Sequence, residues 1–274
     1  MLVINAGSSS IKLVVFDAML RPVLSGSVTE IGGDAHIMFG RTDRPCLAPD
    51  HKAALELAFA VMAAEGLPVE SLTAAAHRVV HGGATLTSAC RVTDATISQI
   101  EACVPLAPLH NPAYLMVIRA LASLAPDLPQ YTSFDTAFHA TNPEVAVSYA
   151  LPLVERQRGL RRYGFHGLSY AGMVETLRAS GQLPARLLAL HLGNGASLCA
   201  IRDGQSVATT MGYSPLDGVT MGTRTGNIDG NAVLRLAELH GIDGASRILN
   251  RESGLLGLGG HTDMRRLHAA GTLD

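Results

Sequence analysis

The chain has 274 residues, of which 47% are apolar and 16% charged, with a formal net charge of −2. Such a chain has material for one large or two ordinary buried cores, which excludes intrinsic disorder, and its near-neutral balance offers no basic face for nucleic acid. Four cysteines without a CxxC pair suit reduced thiols. With no signal-peptide pattern and no run of the ~18 apolar residues that a membrane helix needs, a soluble cytoplasmic protein with no membrane partner is expected.

The first elements in chain order are strands at 2–5 and 11–16 in "LVINAGSSSIKLVVFD". Between them stand Gly7 and three serines, and Lys12 follows. A hairpin turn needs only two to five residues, with glycine or asparagine where φ is positive. This turn carries donors beyond that need: small residues let backbone N–H groups approach an anion, and hydroxyls and a lysine add to them. It is no Walker loop, because it lacks GxxxxGK[ST] and leads into a strand instead of a helix.

"HKAALELAFAVMAAEG" (51–66) predicts a helix closing at Gly66. A strand at 73–80 follows and runs into "HRVVHGG". His77 and His81 are four apart, a zinc spacing on a helix, but here they lie on a strand entering a turn, without an HExxH glutamate. "NPAYLMVIRALASLAP" (111–126) predicts a helix with Asn111 as N-cap and Pro112 at its first position. The strand at 130–135 ends on Asp135, the place where α/β proteins put active-site groups, although a helix N-cap is the plainer role. The basic run "RQRGLRRY" (156–163) reads as a solvated surface or, less simply, as a phosphate contact.

Helices follow in "LSYAGMVETLRASG" (168–181) and "NAVLRLAELHG" (231–241), each ending at glycine, with strands at 187–192 and 197–202 between them. Strands interleaved with helices define an α/β class. "LALHLGNGASLCAIRDG" (188–204) also echoes residues 2–17: a strand, a turn starting at Gly193, a serine (Ser197 for Ser10) and a second strand, with one extra turn residue. The echo is either two ordinary hairpins or a duplicated domain whose two turns could grip a polyphosphate.

Seven motifs occur in order: "NAGSSSIK" (5–12), "HRVVHGG" (77–83), "PLAPLHNP" (105–112), "SFDTAFH" (133–139), "RYGFHGLSY" (162–170), "HLGNGAS" (191–197) and "MGTRTGNID" (221–229). Together they resemble the acetate/propionate/butyrate kinase family of the actin-like superfamily, from Met1 to about Arg265. The resemblance implies a two-lobed, duplicated (ribonuclease H-like) α/β fold, with lobes at 1–148 and 149–274. It further implies reversible transfer of the ATP γ-phosphoryl group to acetate or a similar short carboxylate, giving acetyl phosphate and ADP, with Mg²⁺, in a homodimer.

By the same resemblance, Arg78, Asp135, His166 and Arg224 are the catalytic group. Arg78 would bind the acceptor carboxylate, both arginines and His166 would stabilise the transferring phosphoryl group, and Asp135 would position Mg²⁺ or water. Arginine suits the task because its planar fork stays charged and binds oxygens bidentately. Val80, Leu109, Phe165 and Pro215 would line the apolar acceptor pocket, although each reads equally well as core. Asn5, Ser8, Ser10 and Lys12 match the first phosphate turn, with Asn5 also a metal contact. His191, Gly193, Asn194 and Gly195 match the second, and Asp263 and Arg265 match nucleotide positions.

Three departures from the family stand out. Tyr170 replaces a usual histidine, which puts that position's supporting role in doubt. Asn227 and Gly230 replace Asp and Pro, a change expected to loosen the loop that carries Arg224. The family's closing segment does not follow the "SGLLGLGGHTDMRRL" stretch, so the second lobe is expected to be incomplete, with apolar surface exposed. That departure keeps an alternative open, a catalytically inactive nucleotide- or phosphate-binding fragment. An actin-like regulatory ATPase is the weaker alternative, because it needs no carboxylate pocket.

Overall fold

The first sheet is built on strict alternation. In the computed structural model, which describes residues 1–108 and 110–271, strand β1 (Leu2–Ala6) buries Leu2, Ile4 and Ala6 and turns Val3 and Asn5 to the other face. Strands β2 (Ile11–Phe16), β3 (Pro22–Thr29), β4 (His36–Phe39) and β5 (Thr42–Pro45) continue from it as an antiparallel meander. On its other side β1 pairs in parallel with β6 (Ala75–Val79), and β6 pairs in parallel with β8 (Gln130–Phe134). The short β7 (Cys90–Arg91) closes that edge, giving the order β5-β4-β3-β2-β1-β6-β8-β7.

Parallel neighbours require crossovers, and helices supply them. Helix α1 (His51–Ala64) precedes β6, and α2 (Asp94–Ala102) and α3 (Asn111–Leu124) lie between β6 and β8. Helix α1 is capped by the Asp50 side chain, which accepts from the Ala53 N–H, and ends before Gly66 at φ 80°. Its residues Ala54, Leu55, Ala58 and Met62 are fully buried, as are Val117, Ile118 and Leu121 of α3. Asn111 is not the cap of α3. His110 holds that position, and the Asn111 side chain instead bonds the backbone N–H and carbonyl of His81. A buried amide is better satisfied by pinning a second loop than by its own helix end.

The chain divides into two compact units, Met1–Ala137 and Phe138–Asp274. The division precedes the expected boundary after residue 148, because the segment after Ala137 is tied into the second unit. There the His139 ring bonds Ser206 Oγ and the Phe165 carbonyl, and Ser148 forms a bridge with Arg161. The second unit holds a three-stranded antiparallel sheet, β11-β10-β9, made of β9 (Arg186–Leu192), β10 (Ala196–Arg202) and β11 (Gln205–Thr209).

Short helices α4 (Glu144–Val147) and α5 (Leu153–Gln157) precede α6 (Gly167–Ala179). After the sheet come α7 (Gly230–Arg247), broken at Gly241, α8 (Gly254–Gly259) and α9 (Met264–Ala269). Helix α6 covers one sheet face through a core of Tyr170, Val174, Ala189, Cys199 and Ile201. On β9, Leu188, Leu190 and Leu192 are 61%, 45% and 73% exposed, so the opposite face is open.

The two hairpins differ from the expected echo. The first leaves residues 7–10 between Ala6 and Ile11, whereas the second leaves only 193–195 between Leu192 and Ala196. Ser197 is therefore a buried strand residue paired with His191 and has no place in the turn. Strands β3, β4, β5, β7 and β11 were not anticipated, since Ser-, Gly- and charge-rich stretches such as "SGSVT" and "TDRP" lack the apolar run that signals a strand. Among the described residues no helix is long and apolar enough to cross a membrane.

Two stability outcomes follow from this packing. A methyl on Gly26 would overlap the Met38 carbonyl oxygen and the Phe39 Cα on the adjacent strand. Gly26→Ala should therefore cost about 1–3 kcal/mol in urea unfolding. Burial, partly offset by a bond to Gln130, holds the His77 imidazole down to about 4, and burial holds His81 down to about 4 as well. The unfolded chain therefore takes up more protons below the ordinary histidine value, and stability is lost as pH falls from about 6.5 towards 4. Each histidine contributes roughly 2–3 kcal/mol to that loss. Urea midpoints at pH 7 and pH 5 should show the fall, and His77→Gln should reduce it.

Candidate active site

Parallel strands bring their carboxyl ends to one edge, the place where open α/β sheets collect functional groups. Here Asn5 of β1, Arg78 of β6 and Asp135, which directly follows β8, meet at that edge. Leu2 pairs with Ala75 and Ile4 with His77, so Asn5 is carried level with Arg78. Arg78 pairs with Ser133, and the Asp135 N–H donates to the Val79 carbonyl.

Arg78 holds Asp135 with two parallel bonds, Nε to Oδ1 at 3.1 Å and Nη2 to Oδ2 at 2.6 Å, and its Nη1 donates to Asn5 Oδ1 at 3.2 Å. The Asp135 side chain is 3% exposed and that of Arg78 35%. Burial works against the Arg78 charge, but the hydrogen bonds and charge of Asp135 outweigh it, so its pKa is raised. Asp135 is thus an ion-pair partner and not the helix cap that was its plainer role.

Lys12 pairs with Asn5 across β1 and β2, which places it on the same sheet face. The turn bearing Ser8 and Ser10 is closed by the Gly7 N–H to the Ser10 carbonyl, and His51 of α1 donates from Nε2 to the Gly7 carbonyl at 2.8 Å. Val80 is 5% exposed just past β6; Leu109 lies outside the described residues. Tyr114 of α3 was not singled out in the sequence because its helical spacing reads as core. Its buried phenol nevertheless lies within electrostatic reach of both Arg78 and Asp135. Burial raises its pKa, the Arg78 charge lowers it and Asp135 raises it again.

In the second unit, His166 caps α6 in the left-handed conformation (φ 60°, ψ 17°), rare for a residue with a Cβ and a mark of a locally constrained site. Its Nδ1 lies 2.8 Å from Ser197 Oγ, which lies 2.6 Å from the Tyr170 hydroxyl. Its ring stacks on His191 at 4.0 Å between centroids, and His191 Nδ1 meets Ser169 Oγ at 3.0 Å. The second turn is closed by the Gly193 N–H to the Gly195 carbonyl, and the Gly222 N–H donates to the Asn194 carbonyl. A methyl on Gly195 would stand 3.4 Å from both Arg224 Nη1 and His166 Nε2, so the two side chains converge over that glycine.

Arg224 donates from Nη1 to the Pro215 carbonyl at 2.9 Å and to Met221 sulfur at 3.7 Å, and among the described residues it has no carboxylate partner. Burial lowers its pKa. An arginine half-buried without an acid is a preformed anion receptor, because the desolvation has already been incurred and the counter-charge is missing. The loop around it is not loosened by Asn227. Its side-chain Oδ1 accepts from the Gly218 N–H at 3.1 Å, and the Asn227 backbone N–H donates to the Gly218 carbonyl at 2.8 Å, so the amide oxygen closes the loop as a carboxylate oxygen would.

Phe165 is 1% exposed and Pro215 half-buried. Asp263 caps α9 and pairs with the exposed Arg265, whose hydrogen bond holds the carboxyl down to about 2. The basic run is largely engaged with protein acceptors: Arg162 bonds Asp217 and the carbonyls of Thr210 and Met211, and Arg158 pairs with Glu155.

Comparison with known proteins identifies the class of this chain as a phosphotransferase. The profile of the Acetokinase family matches residues 1–272. An acetate kinase of Micrococcus luteus is 45% identical over 97% of this chain and 69% of its own length. The crystal structure of a propionate kinase from Francisella tularensis superposes with a TM-score of 0.93 at 35% identity, over 100% of this chain and 73% of its own. That of Porphyromonas gingivalis acetate kinase gives 0.89 at 34%, over 98% and 72%. The chain belongs to the Acetokinase family, has the mixed α/β acetate kinase fold and is shorter than these relatives.

Arg78→Ala strands the buried Asp135 carboxylate. Because Arg78 is one-third exposed, the loss should fall below the ~3–5 kcal/mol of a fully buried broken pair. We expect about 1–3 kcal/mol by urea unfolding, with the Arg78→Ala/Asp135→Ala double variant no less stable than the single one.

Proposed function

We propose that the chain catalyses reversible phosphoryl transfer from ATP to acetate or a similar short carboxylate, giving an acyl phosphate and ADP. An acceptor oxygen bonds to the γ-phosphorus as the bond to the β-phosphate oxygen breaks. The observation that carries this reading is Arg224, a half-buried cation with no acid beside it among the described residues, poised with His166 Nε2 over Gly195. A transition state with charge spread over three equatorial oxygens calls for such preorganised donors. Arg78 contributes by exchanging part of its hold on Asp135 for the acceptor carboxylate. The Gly7–Ser10 and Gly193–Gly195 turns serve phosphate oxygens with backbone N–H groups and hydroxyls. Val80 in the first unit, and Phe165 and Pro215 in the second, are the described candidates for contact with the acceptor's alkyl end, where one methylene changes preference by only ~1–3 kcal/mol.

Magnesium fits the donor set as a metal that arrives with the nucleotide. Asn5 Oδ1 and the Asp135 carboxylate are adjacent oxygen donors that Arg78 occupies only in part. Among the described residues no cluster of three or more acidic, histidine or cysteine side chains exists to form a protein cage. Mg²⁺ is usually held by one or two carboxylates plus substrate phosphates. Bound between Asn5, Asp135 and the phosphates, it would neutralise phosphate charge. The resemblance extends the reading to a cytoplasmic homodimer, which sedimentation can check.

The open leucine face of β9, in a chain that covers 69% of its relative's length, favours a second reading: nucleotide binding without turnover. Acetyl phosphate formation with Mg-ATP and acetate separates the two. Under the first reading the parent chain turns over, and Arg224→Ala lowers kcat by about 10²–10³-fold with its circular dichroism unchanged. A folded parent that binds ATP but forms no acetyl phosphate would replace the first reading with the second.

A further inference from the structure

Ser197 and Tyr170 lie outside the residues assigned to substrate, yet both are fully buried and bonded in series to His166. A neutral imidazole carries one hydrogen, and which nitrogen holds it is set by the bond the other nitrogen makes. The hydrogen positions of this series follow from satisfaction. Among the described residues, Ser197 Oγ is the acceptor within reach of the Tyr170 hydrogen.

If Tyr170 donates to Ser197, then Ser197 donates to His166 Nδ1 and every polar atom of the series is used. If instead His166 Nδ1–H donates to Ser197, then either the phenol hydrogen or, where Ser197 accepts from both neighbours, the serine hydrogen is buried without an acceptor among the described residues, a loss of a kind that native interiors avoid.

We propose that Tyr170 and Ser197 are positioning residues that hold the neutral His166 imidazole with its hydrogen on Nε2, the nitrogen that converges with Arg224 over Gly195. The proposal rests on the phosphoryl-transfer reading for its purpose, because an Nε2–H donates to a phosphoryl oxygen whereas an Nε2 lone pair would repel it. It assigns a role to the tyrosine where the family usually has histidine. A tyrosine hydroxyl has a single hydrogen and a high pKa, raised further here by burial, so it keeps one direction across the working pH range. A histidine at that position could lose or reverse its donor through its own tautomers.

The test is the tautomer itself. Two-bond ¹H–¹⁵N spectra of the full ¹⁵N-labelled chain at about pH 8, above the ordinary histidine range, report which ring nitrogen carries hydrogen, and His166→Asn assigns the signals. We expect Nε2–H in the parent, mixed tautomers in Tyr170→Phe and Ser197→Ala, and a fall in kcat of about tenfold for Tyr170→Phe with the KM for ATP within about twofold. Nδ1–H in the parent overturns the proposal, as does a kcat loss in Tyr170→Phe with the tautomer unchanged. Should Tyr170→Phe fail to fold, the parent spectrum and Ser197→Ala decide. Should the parent have no kinase activity, the spectrum still decides the relay, and only the phosphoryl-transfer reading falls.

Discussion

A carboxylate that is 3% exposed needs a cation, and the pairing of Asp135 with Arg78 is the constraint around which the first unit's site is organised. It requires two strands to run in parallel and in register, so that a residue inside β6 and one just beyond β8 reach the same edge. It also requires β1 alongside, since the third guanidinium nitrogen is taken by Asn5. The crossover helices follow from that demand, because parallel strands cannot be joined by a tight turn. Their apolar faces in turn bury the side of the sheet that does not carry the site.

The second unit solves a different problem. Among the described residues Arg224 is kept half-buried without a counter-charge, with a carbonyl and a thioether as its local partners. The cost of that arrangement is offset by a rigid frame: Asn227 bonded both ways to Gly218, the Gly222 N–H on the Asn194 carbonyl, and a left-handed His166 buttressed by Ser197 and stacked on His191. A left-handed histidine beside an arginine that has no counter-charge among the described residues is the combination expected of a functional site.

Much of this was legible in the residues, for identifiable reasons. Helices α1, α3 and α6 and the strands of the two hairpins follow from apolar period and glycine stops and stand within a residue or two of expectation, whereas α7 kinks at the expected stop, Gly241, and runs on to Arg247. Strands β3 to β5 were not legible, because half-exposed meander strands with serine, glycine and charge take their stability from neighbours and not from their own composition. Asn111 looked like a cap because nothing local reveals that His81 offers it two better bonds. Ser197 looked like the counterpart of Ser10, and only strand register moved it from turn to core. Arg78, Asp135, His166 and Arg224 were named through motifs; that two of them form a pair and a third stands beside a Tyr–Ser series has no local signal.

By itself, the sequence determined the α/β class, the family, the position of the two turns of small polar residues and glycine, and the residue types available for charge neutralisation, since these rest on local pattern and on motifs that sit within a few residues. Tertiary structure alone decided which of those groups meet: Asn5, Arg78 and Asp135 at one strand edge, His166 with Arg224 over Gly195, and Ser197 and Tyr170 in series behind His166. Residues dozens of positions apart become neighbours only through sheet register and helix packing. A side chain's protonation and hydrogen-bond direction depend on those neighbours and not on its place in the chain.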